Sequence, residues 1–355
     1  MPTLPPHALK AVTHLIARRM GSDDTEAALV ADHLVRANLA GHDSHGVGMI
    51  PTYVRLLHQG LLVPNQTAAT VLDAGALLVI DARRGYGQRM AADAVSRAVA
   101  RAKELGACVL ALRNSAHIGR IGTYAEQAAA EGCAFMAFVN VADHHDVQAT
   151  WGAAEPRLGT NPFCVGVPGG DGPAIMLDMA TTTIAAGKAR VACNKGMTVP
   201  DGCLIDEAGN PTNDPAGFIR DHKGALRSFG MHKGSGLAVM CEVMAVLAGG
   251  QGAFHPAQGG VLNSMLATVI DVSKLGDPAA IGADIQAVKA HIKSARPAPG
   301  FDEVLVPGEP ERRSAAQRAA AIEVDATTWR DIRAAAESLG ISAAEFDQAA
   351  GSNAG

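Results

Sequence analysis

The chain has few aromatic residues and no excess of positive charge, and each shortage argues against a class of function. Phe, Trp and Tyr make up 4% of its 355 residues, which is a poor supply for the stacking platforms that bind single-stranded nucleic acid. The formal net charge of −5 gives no electrostatic footprint for DNA, RNA or an anionic membrane. We therefore expect no nucleic-acid partner and no membrane partner.

Paired cysteine motifs and long apolar runs are also missing. The six cysteines are scattered without a C-x-x-C pair, which favours buried thiols in a reducing compartment over disulfides or a zinc site. No apolar stretch approaches membrane-spanning length, and the first ten residues contain no hydrophobic signal region. We expect a cytoplasmic protein. With 48% apolar and 18% charged residues, the composition is globular, and 355 residues exceed one ordinary core.

The stretch Arg113–Gly122 is the strongest candidate for a functional loop. The apolar run Ala107–Leu112 before it predicts a buried strand, and Thr123–Glu131 after it predicts a helix that stops at Gly132. A strand, a polar loop and a helix form a common scaffold for a site. The alternative is an ordinary strand-to-helix connection.

Two side chains give this loop its chemistry. His117 has an unperturbed pKa suited to proton transfer near neutral pH, and Arg120 is a fixed cation for an anionic group. Gly119 and Gly122 allow the backbone to approach a ligand closely.

A Rossmann domain is not predicted. Gly85-Tyr-Gly87 lies between a strand and a helix, but Met90 fills the place of the third glycine, and the strand Ala107–Leu112 is followed by Arg113 rather than an acid. Interior strands alternate with turns more than with crossover helices, so we expect a mixed sheet.

Three further features have candidate roles. His42-Asp-Ser-His45 has the composition of a metal cluster when it is taken with His117 and His144-His145-Asp146. No zinc-specific spacing supports such a site, so we predict no metal and leave the roles of His144 and His145 open. His232-Lys233 at a predicted helix start suits a phosphate or carboxylate. Asp178 lies in an apolar run and requires a partner.

Seven stretches, in order along nearly the whole chain, resemble the malate/L-lactate dehydrogenase family, which is distinct from the Rossmann-type lactate and malate enzymes. They are Gly41-His-Asp-Ser-His-Gly-Val47, Asn114-Ser-Ala-His-Ile-Gly-Arg-Ile-Gly122, Gly159-Thr-Asn-Pro-Phe163, Leu177-Asp-Met-Ala-Thr181, Gly187-Lys188, His232-Lys-Gly234 and Pro307-Gly-Glu309. Within that family, several stretches look most like the hydroxycarboxylate dehydrogenase B type.

The resemblance implies an α/β fold with a non-Rossmann cofactor domain on a mixed, largely antiparallel sheet, residues 76–295. Residues 1–75 with 296–355 would form a helix-rich substrate and dimer domain. It also implies a homodimer that interconverts 2-hydroxy acids and 2-oxo acids with NAD or NADP. An alternative within the family is a malate/L-lactate or ureidoglycolate-type enzyme, and a rival outside it is a metal-dependent hydrolase using the His/Asp cluster.

The resemblance also assigns residues. His117 would be the general acid/base, with His45 beside the nicotinamide and Asp178 orienting a histidine or binding ribose. Ser44, His45 and Arg120 would bind substrate. Cofactor contacts would come from His45, Gly119, Arg120, Ile121, Met176, Leu177, Asp178, Met179, Ala180, His232, Lys233, Asn263, Gly308, Glu309, Pro310 and Glu311.

One departure from the family bears on specificity. Many relatives carry Arg at the third position after Ser-His-Gly, where it could clamp a substrate carboxylate, but Met49 stands there in this chain. The apolar side chain favours a bulkier, less polar substrate over malate. The sequence does not decide the substrate or the choice between NAD and NADP.

Overall fold

A computed structural model describes residues 2–169, 173–194, 196–249 and 260–351. The helices are α1 Pro6–Arg19, α2 Asp24–Leu39, α3 Ile50–His58, α4 Gly87–Leu105, α5 Gly122–Ala130, α6 Ala186–Asn194, α7 Ala216–Arg220, α8 Met231–Gly249, α9 Pro278–Lys293, α10 Glu309–Arg318, α11 Ala326–Ser338 and α12 Ala343–Ala349. The strands are β1 Thr3–Leu4, β2 Ala69–Ala74, β3 Leu77–Asp81, β4 Ala107–Ala116, β5 Cys133–Val139, β6 Gln148–Ala149, β7 Pro156–Leu158, β8 Phe163–Pro168, β9 Pro173–Met179, β10 Leu204–Ile205, β11 Pro211–Thr212, β12 Ala225–Arg227, β13 Leu262–Asp271 and β14 Ile322–Glu323.

The main sheet has seven strands in the order β2-β3-β4-β13-β5-β8-β9. Only the β3/β4 pair is parallel within it, and α4 connects those two strands. All the other neighbours are antiparallel. The predicted fold class, α/β with a mixed, largely antiparallel sheet, is confirmed. Because β13 comes late in the chain yet lies between β4 and β5, the centre of the sheet could not be read from neighbouring segments.

Two hydrophobic clusters organise the packing. One surrounds the main sheet and joins α4 and α5 to β3, β4, β5 and β13. The other joins helices from both ends of the chain: Leu9 and Leu34 come from the first two helices, and Ile332 and Phe346 from the last two. The N- and C-terminal segments thus share one helical core. The domain boundaries at 75 and 296 stay a prediction.

A smaller sheet carries five short strands in the order β11-β10-β12-β6-β7. Strand β12 pairs in parallel with β6 and antiparallel with β10, so this sheet joins segments that are far apart in the sequence. The sequence of this region is rich in turn residues, and its strands are only two or three residues long. Strands this short show no alternation of apolar and polar residues, so they could not be predicted from the sequence. The unit matters because β12 leads directly into α8.

Helix α8 is the one helix among the described residues whose length and apolar composition would suffice to cross a membrane. It packs on β4, β5 and β13, and Ala238, Cys241 and Ala245 are buried. Packing against the sheet thus accounts for part of its apolar composition, whereas Val243 and Leu247 stay exposed. The six cysteines of the chain are all buried and free, as predicted.

Candidate active site

His117 lies where β4 ends and the chain turns toward α5. The sequence predicted a strand ending at Leu112, but β4 continues to Ala116, so the loop is only about five residues long. Pairing with β13 extends the strand, since Ala116 aligns with Leu262. The histidine therefore projects from the end of a central strand, which is a rigid support for a site.

His45 and His117 meet although 72 positions separate them. His45 Nδ1 lies 3.2 Å from His117 Nε2, and the ring centroids are 5.3 Å apart in a stacked arrangement. His45 comes from the short 3₁₀ turn Asp43–His45 that follows α2. The structure thus brings together the two predicted catalytic imidazoles.

Tyr53 and Gln88 stand behind His117, and the sequence analysis missed both. The Tyr53 hydroxyl lies 2.8 Å from His117 Nδ1, and the Gln88 amide lies 2.6 Å from the same hydroxyl. Both side chains are buried. Tyr53 occupies an apolar helical face, and Gln88 follows the glycine pair of a tight turn, so neither carries a sequence signal for chemistry.

Burial keeps the imidazoles of the site neutral near pH 7. Desolvation, then the charges of His42 and Arg120, lowers the pKa of His45 to about 4. Desolvation, with smaller effects of His45, His33 and His144, holds the pKa of His117 well below its usual value of 6.5. The neutral form has a lone pair to accept a proton, as a base requires.

Two asparagines hold the histidine turns in place. Asn263 accepts from the backbone N–H of Ile118 at 2.9 Å and donates to the carbonyl of Asn140 at 2.7 Å. Asn38 accepts from the N–H of Val47 at 2.9 Å, next to the turn that carries His45. Asn263 was a predicted cofactor contact, and these bonds give it an anchoring role within the protein.

Glycines are required where these turns pack closely. A Cβ on Gly87 would lie 2.3 Å from the carbonyl oxygens of Ala116 and His117, and a Cβ on Gly46 would lie 2.2 Å from Asn38 Oδ1. Gly87 therefore allows the start of α4 to contact the end of β4. Gly87 of the Gly85-Tyr-Gly87 segment thus positions the loop of His117.

Arg120 lies inside an ion network rather than at an open surface. Its Nη1 donates to Glu126 Oε1 at 2.9 Å, and its Nε is 3.9 Å from Asp178 Oδ2. The side chain is 2% exposed, and Arg36 pairs with the same Glu126 from α2. This pairing gives Arg120 a role within the protein, and its binding of substrate or pyrophosphate stays a prediction.

Asp178 finds the partner that its apolar surroundings require. Its Oδ2 accepts from the backbone N–H of Gly122 at 2.7 Å. Burial raises the pKa of the carboxyl, against opposing effects of His42, Arg120 and that hydrogen bond. Asp178 thus ties β9 to the start of α5 beside the histidine loop.

Ser44 and the segment Gly308–Glu311 border the same region. A Cβ on Gly187 would lie 2.7 Å from Ser44 Cβ, so the start of α6 touches the histidine turn. Gly308 approaches the backbone of Met176, and Glu311 lies 3.5 Å from His42. The residues predicted in β9 and at the start of α10 are therefore neighbours.

His232 and Lys233 lie at the exposed start of α8, with Trp151 near His232 at a ring-centroid distance of 6.2 Å. The Thr181 carbonyl accepts from Phe229 N–H at 3.1 Å, which places this helix start beyond the end of β9. The ring of His232 thus contacts Trp151 rather than the histidine pair.

The His-rich loop after β5 lies near the site but forms no metal cluster. The rings of His144 and His145 are stacked with their centroids 4.1 Å apart. The charge of His144 makes a small contribution to the lowered pKa of His117. Among the residues that the structure describes, no three potential metal ligands converge. The geometry gives no support to the metal-dependent hydrolase alternative.

These features together define a class of protein. The site combines two neutral imidazoles in contact, a neighbouring carboxylate network and an exposed cationic helix start on a non-Rossmann α/β scaffold. Of the two rings, His117 is buried and His45 is half-buried. This combination describes an acid/base enzyme for anionic ligands.

Comparison with known proteins identifies the family. The model of the malate/L-lactate dehydrogenase family matches residues 4–333. Hydroxycarboxylate dehydrogenase B of Escherichia coli K12 is 42% identical over 94% of this chain and 93% of its own length. An L-lactate dehydrogenase of Cupriavidus necator is 37% identical over 88% of this chain and 90% of its own. The chain belongs to the malate/L-lactate dehydrogenase family and is a hydroxy-acid/oxo-acid dehydrogenase that uses a nicotinamide cofactor.

Solved structures agree in fold. A malate/lactate dehydrogenase-type protein from E. coli superposes with a TM-score of 0.94 at 39% identity, covering 100% of both chains. Sulfolactate dehydrogenase from Methanocaldococcus jannaschii gives a TM-score of 0.84 at 30% identity, covering 96% of this chain and 98% of its own.

The described residues fit a dinucleotide. Glu311 Oε2 and Thr182 Oγ1 are buried without a hydrogen-bond partner, which provides an acceptor and a hydroxyl for ribose or phosphate groups. The start of α8 adds exposed cationic side chains and backbone N–H groups.

Proposed function

We propose that the enzyme oxidises 2-hydroxy acids with a weakly polar side chain, and reduces the corresponding 2-oxo acids, with His117 as acid/base. The contact between His45 and His117 carries the proposal, since it places a neutral base next to a second polar ring at the end of a central strand. The bound nicotinamide supplies the acceptor for the hydride that leaves C2.

The protein's part in oxidation is to receive a proton. As the C2–H electron pair leaves as hydride, the hydroxyl proton passes to His117 Nε2 and a C=O bond forms. His45 and Ser44 orient the substrate oxygen. An anionic substrate carboxylate next to these rings raises their pKa, which stabilises the imidazolium form that results.

Cofactor contacts are proposed for Gly119, Ile121, Met176–Ala180, His232, Lys233 and Gly308–Glu311. Their support is the neighbourhood of β9, the start of α10 and the histidine loop, together with the buried acceptor on Glu311.

Met49 is the proposed determinant of substrate polarity. It packs, partly buried, against the helical core one turn after His45. We expect arylpyruvates such as hydroxyphenylpyruvate to be reduced in preference to oxaloacetate, and Met49→Arg to shift the kcat/KM ratio toward oxaloacetate by about tenfold or more, as one added carboxylate–Arg pair allows.

The assay follows loss of NADH or NADPH absorbance with pyruvate, oxaloacetate, 2-oxoglutarate and hydroxyphenylpyruvate, with and without a chelator. Activity that depends on added metal, or no oxidation of either cofactor with any 2-oxo acid, would contradict the proposal. The comparison of NADH with NADPH also decides the cofactor.

A cytoplasmic homodimer remains our proposal for the assembly. The homodimer is supported by α9, which has no buried residue and exposes Val288 and Ile292, although this helix lies outside the segments 1–75 and 296–355 that we predicted to form the dimer. Light scattering during gel filtration measures the mass directly, and a monomer at micromolar concentration would contradict it.

A further inference from the structure

A chain of buried polar side chains ends at the inner nitrogen of His117. The Gln88 amide lies 2.6 Å from the Tyr53 hydroxyl, which lies 2.8 Å from His117 Nδ1. Gln88, Tyr53 and His117 are 0%, 3% and 8% exposed, so these contacts are sheltered from water. Each contact contains one proton, and the direction in which the chain of donors runs decides which nitrogen of His117 bears a hydrogen.

Two directions are compatible with these atoms. In the first, the Gln88 NH₂ group donates to Tyr53, Tyr53 donates to Nδ1, and the proton of neutral His117 lies on Nε2. In the second, the amide is rotated by 180°, Tyr53 donates to the Gln88 carbonyl oxygen, and Nδ1–H donates to the Tyr53 oxygen. Only the second leaves a lone pair on Nε2, the nitrogen that faces His45.

We propose that Gln88 and Tyr53 are positioning residues that hold His117 as the Nδ1–H tautomer, so that Nε2, on the side of His45, carries the lone pair that accepts the substrate hydroxyl proton. The inference rests on the proposed acid/base role of His117. The distance between Gln88 and Tyr53 favours it, because 2.6 Å suits an O–H···O bond (about 2.5–3.0 Å) and is short for N–H···O (about 2.7–3.2 Å).

No hydrogen bond of the Gln88 carbonyl oxygen opposes this rotation. Gln88 Oε1 is buried and accepts no hydrogen bond, so no donor on that side of the amide holds it in the first arrangement. Burial raises the pKa of the Tyr53 hydroxyl, so it stays protonated and must donate its hydrogen to one of its two neighbours.

The catalytic cycle also requires the second direction. When Nε2 takes the substrate hydroxyl proton, His117 becomes imidazolium and keeps its hydrogen on Nδ1. The Nδ1–H bond to Tyr53 is therefore common to the base and to its conjugate acid, and only Nε2 changes protonation. Tyr53 must accept throughout, and the Gln88 carbonyl oxygen is then the acceptor for its own hydrogen.

Nuclear magnetic resonance of ¹⁵N-histidine protein tests the tautomer without turnover. We expect the His117 signal, assigned by its loss in His117→Ala, to show a protonated Nδ1 and an unprotonated Nε2 at pH 7. A wild-type spectrum with the proton on Nε2 overturns the inference whatever the variants do.

Variants add a functional readout. Gln88→Glu keeps an acceptor and should retain the tautomer, whereas Gln88→Met and Tyr53→Phe should shift His117 toward Nε2–H. Where a carboxylate normally fixes the tautomer of a catalytic histidine, the wrong tautomer costs up to about 10⁴-fold in kcat. Gln88 and Tyr53 are neutral, so we expect Gln88→Met and Tyr53→Phe to lower kcat by about 10–10²-fold and to change KM less than threefold.

These outcomes separate this inference from the proposed function. An active His117→Ala enzyme refutes the acid/base role itself. With that role intact, unchanged kcat and an unchanged tautomer in both Gln88→Met and Tyr53→Phe would show that the two residues do not set the protonation of His117.

Discussion

Gly119 offers the sharpest test of how the histidine loop is packed. Its φ of +75° lies in the left-handed region, and a Cβ there would stand 2.5 Å from His33 Nε2 and 2.9 Å from His33 Cδ2. His33 is 4% exposed on α2, so its ring is packed in the interior. Gly119→Ala should therefore displace the loop that carries His117.

The expected cost has two parts. The left-handed conformation costs a non-glycine residue about 1–2 kcal/mol, and forcing a methyl group into a packed interior adds about 1–3 kcal/mol. Gly60→Ala is the matched control, because Gly60 has a φ of +69° but no atom within 4 Å of its Cβ position. Gly60→Ala should therefore lose only the stability that the left-handed backbone conformation costs, about 1–2 kcal/mol.

Urea unfolding and steady-state kinetics measure the outcome. We expect Gly119→Ala to be destabilised more than Gly60→Ala by about 1–3 kcal/mol and to lose activity, whereas Gly60→Ala keeps its activity. Adding His33→Ala should recover part of the loss, as a coupling energy between contacting residues. Equal stability of the two alanine variants would refute the reasoning from close packing.

Three further predictions follow from the charges of the site. His117→Ala should lower kcat by about 10²–10⁴-fold with an unchanged unfolding midpoint, and turnover equal to wild type would remove His117 from the mechanism. Burial lowers the pKa of His33 from 6.5 to about 3, so the stability that depends on neutral His33 is present above pH 6.5 and is lost as the pH falls toward 3. His33→Gln should flatten the decline of unfolding free energy between pH 6.5 and pH 4, and an unchanged slope would contradict that assignment. Hydrogen bonds from Lys293, Val306 and Lys289 lower the pKa of Glu309 from 4.5 to about 2, although burial acts in the opposite direction. The stability that these contacts provide is therefore present above pH 4.5 and is lost as the pH falls toward 2. The difference in melting temperature between wild type and Glu309→Gln should shrink over that range, and a constant difference would show that the carboxylate charge does not matter.

Much of the fold followed from local patterns. The apolar run Ala107–Leu112 begins strand β4, and the predicted helix Thr123–Glu131 corresponds to α5 within one residue at each end. These features depend on a residue and its neighbours within one or two turns, so the order of residues alone carries the information. The short strands of the smaller sheet gave no such signal because they pair only through distant segments.

In the candidate site, too, the residue types could be predicted from the sequence, whereas their contacts could not. His45, His117, Asp178 and Arg120 could be selected from motifs, since their residue types and glycine-rich settings are visible in the sequence. That Arg120 is buried against Glu126, rather than exposed to a ligand, was decided by the packing of α2 and α5 around it.

The sequence by itself determined the family and the class of chemistry, and it predicted the two histidines of the site. Only the tertiary structure decided that those imidazoles touch, and that Tyr53 and Gln88 stand behind one of them. The physical reason is that a residue's type and spacing are local properties, whereas a 3.2 Å contact across 72 positions exists only once β4, α2 and α3 have packed together.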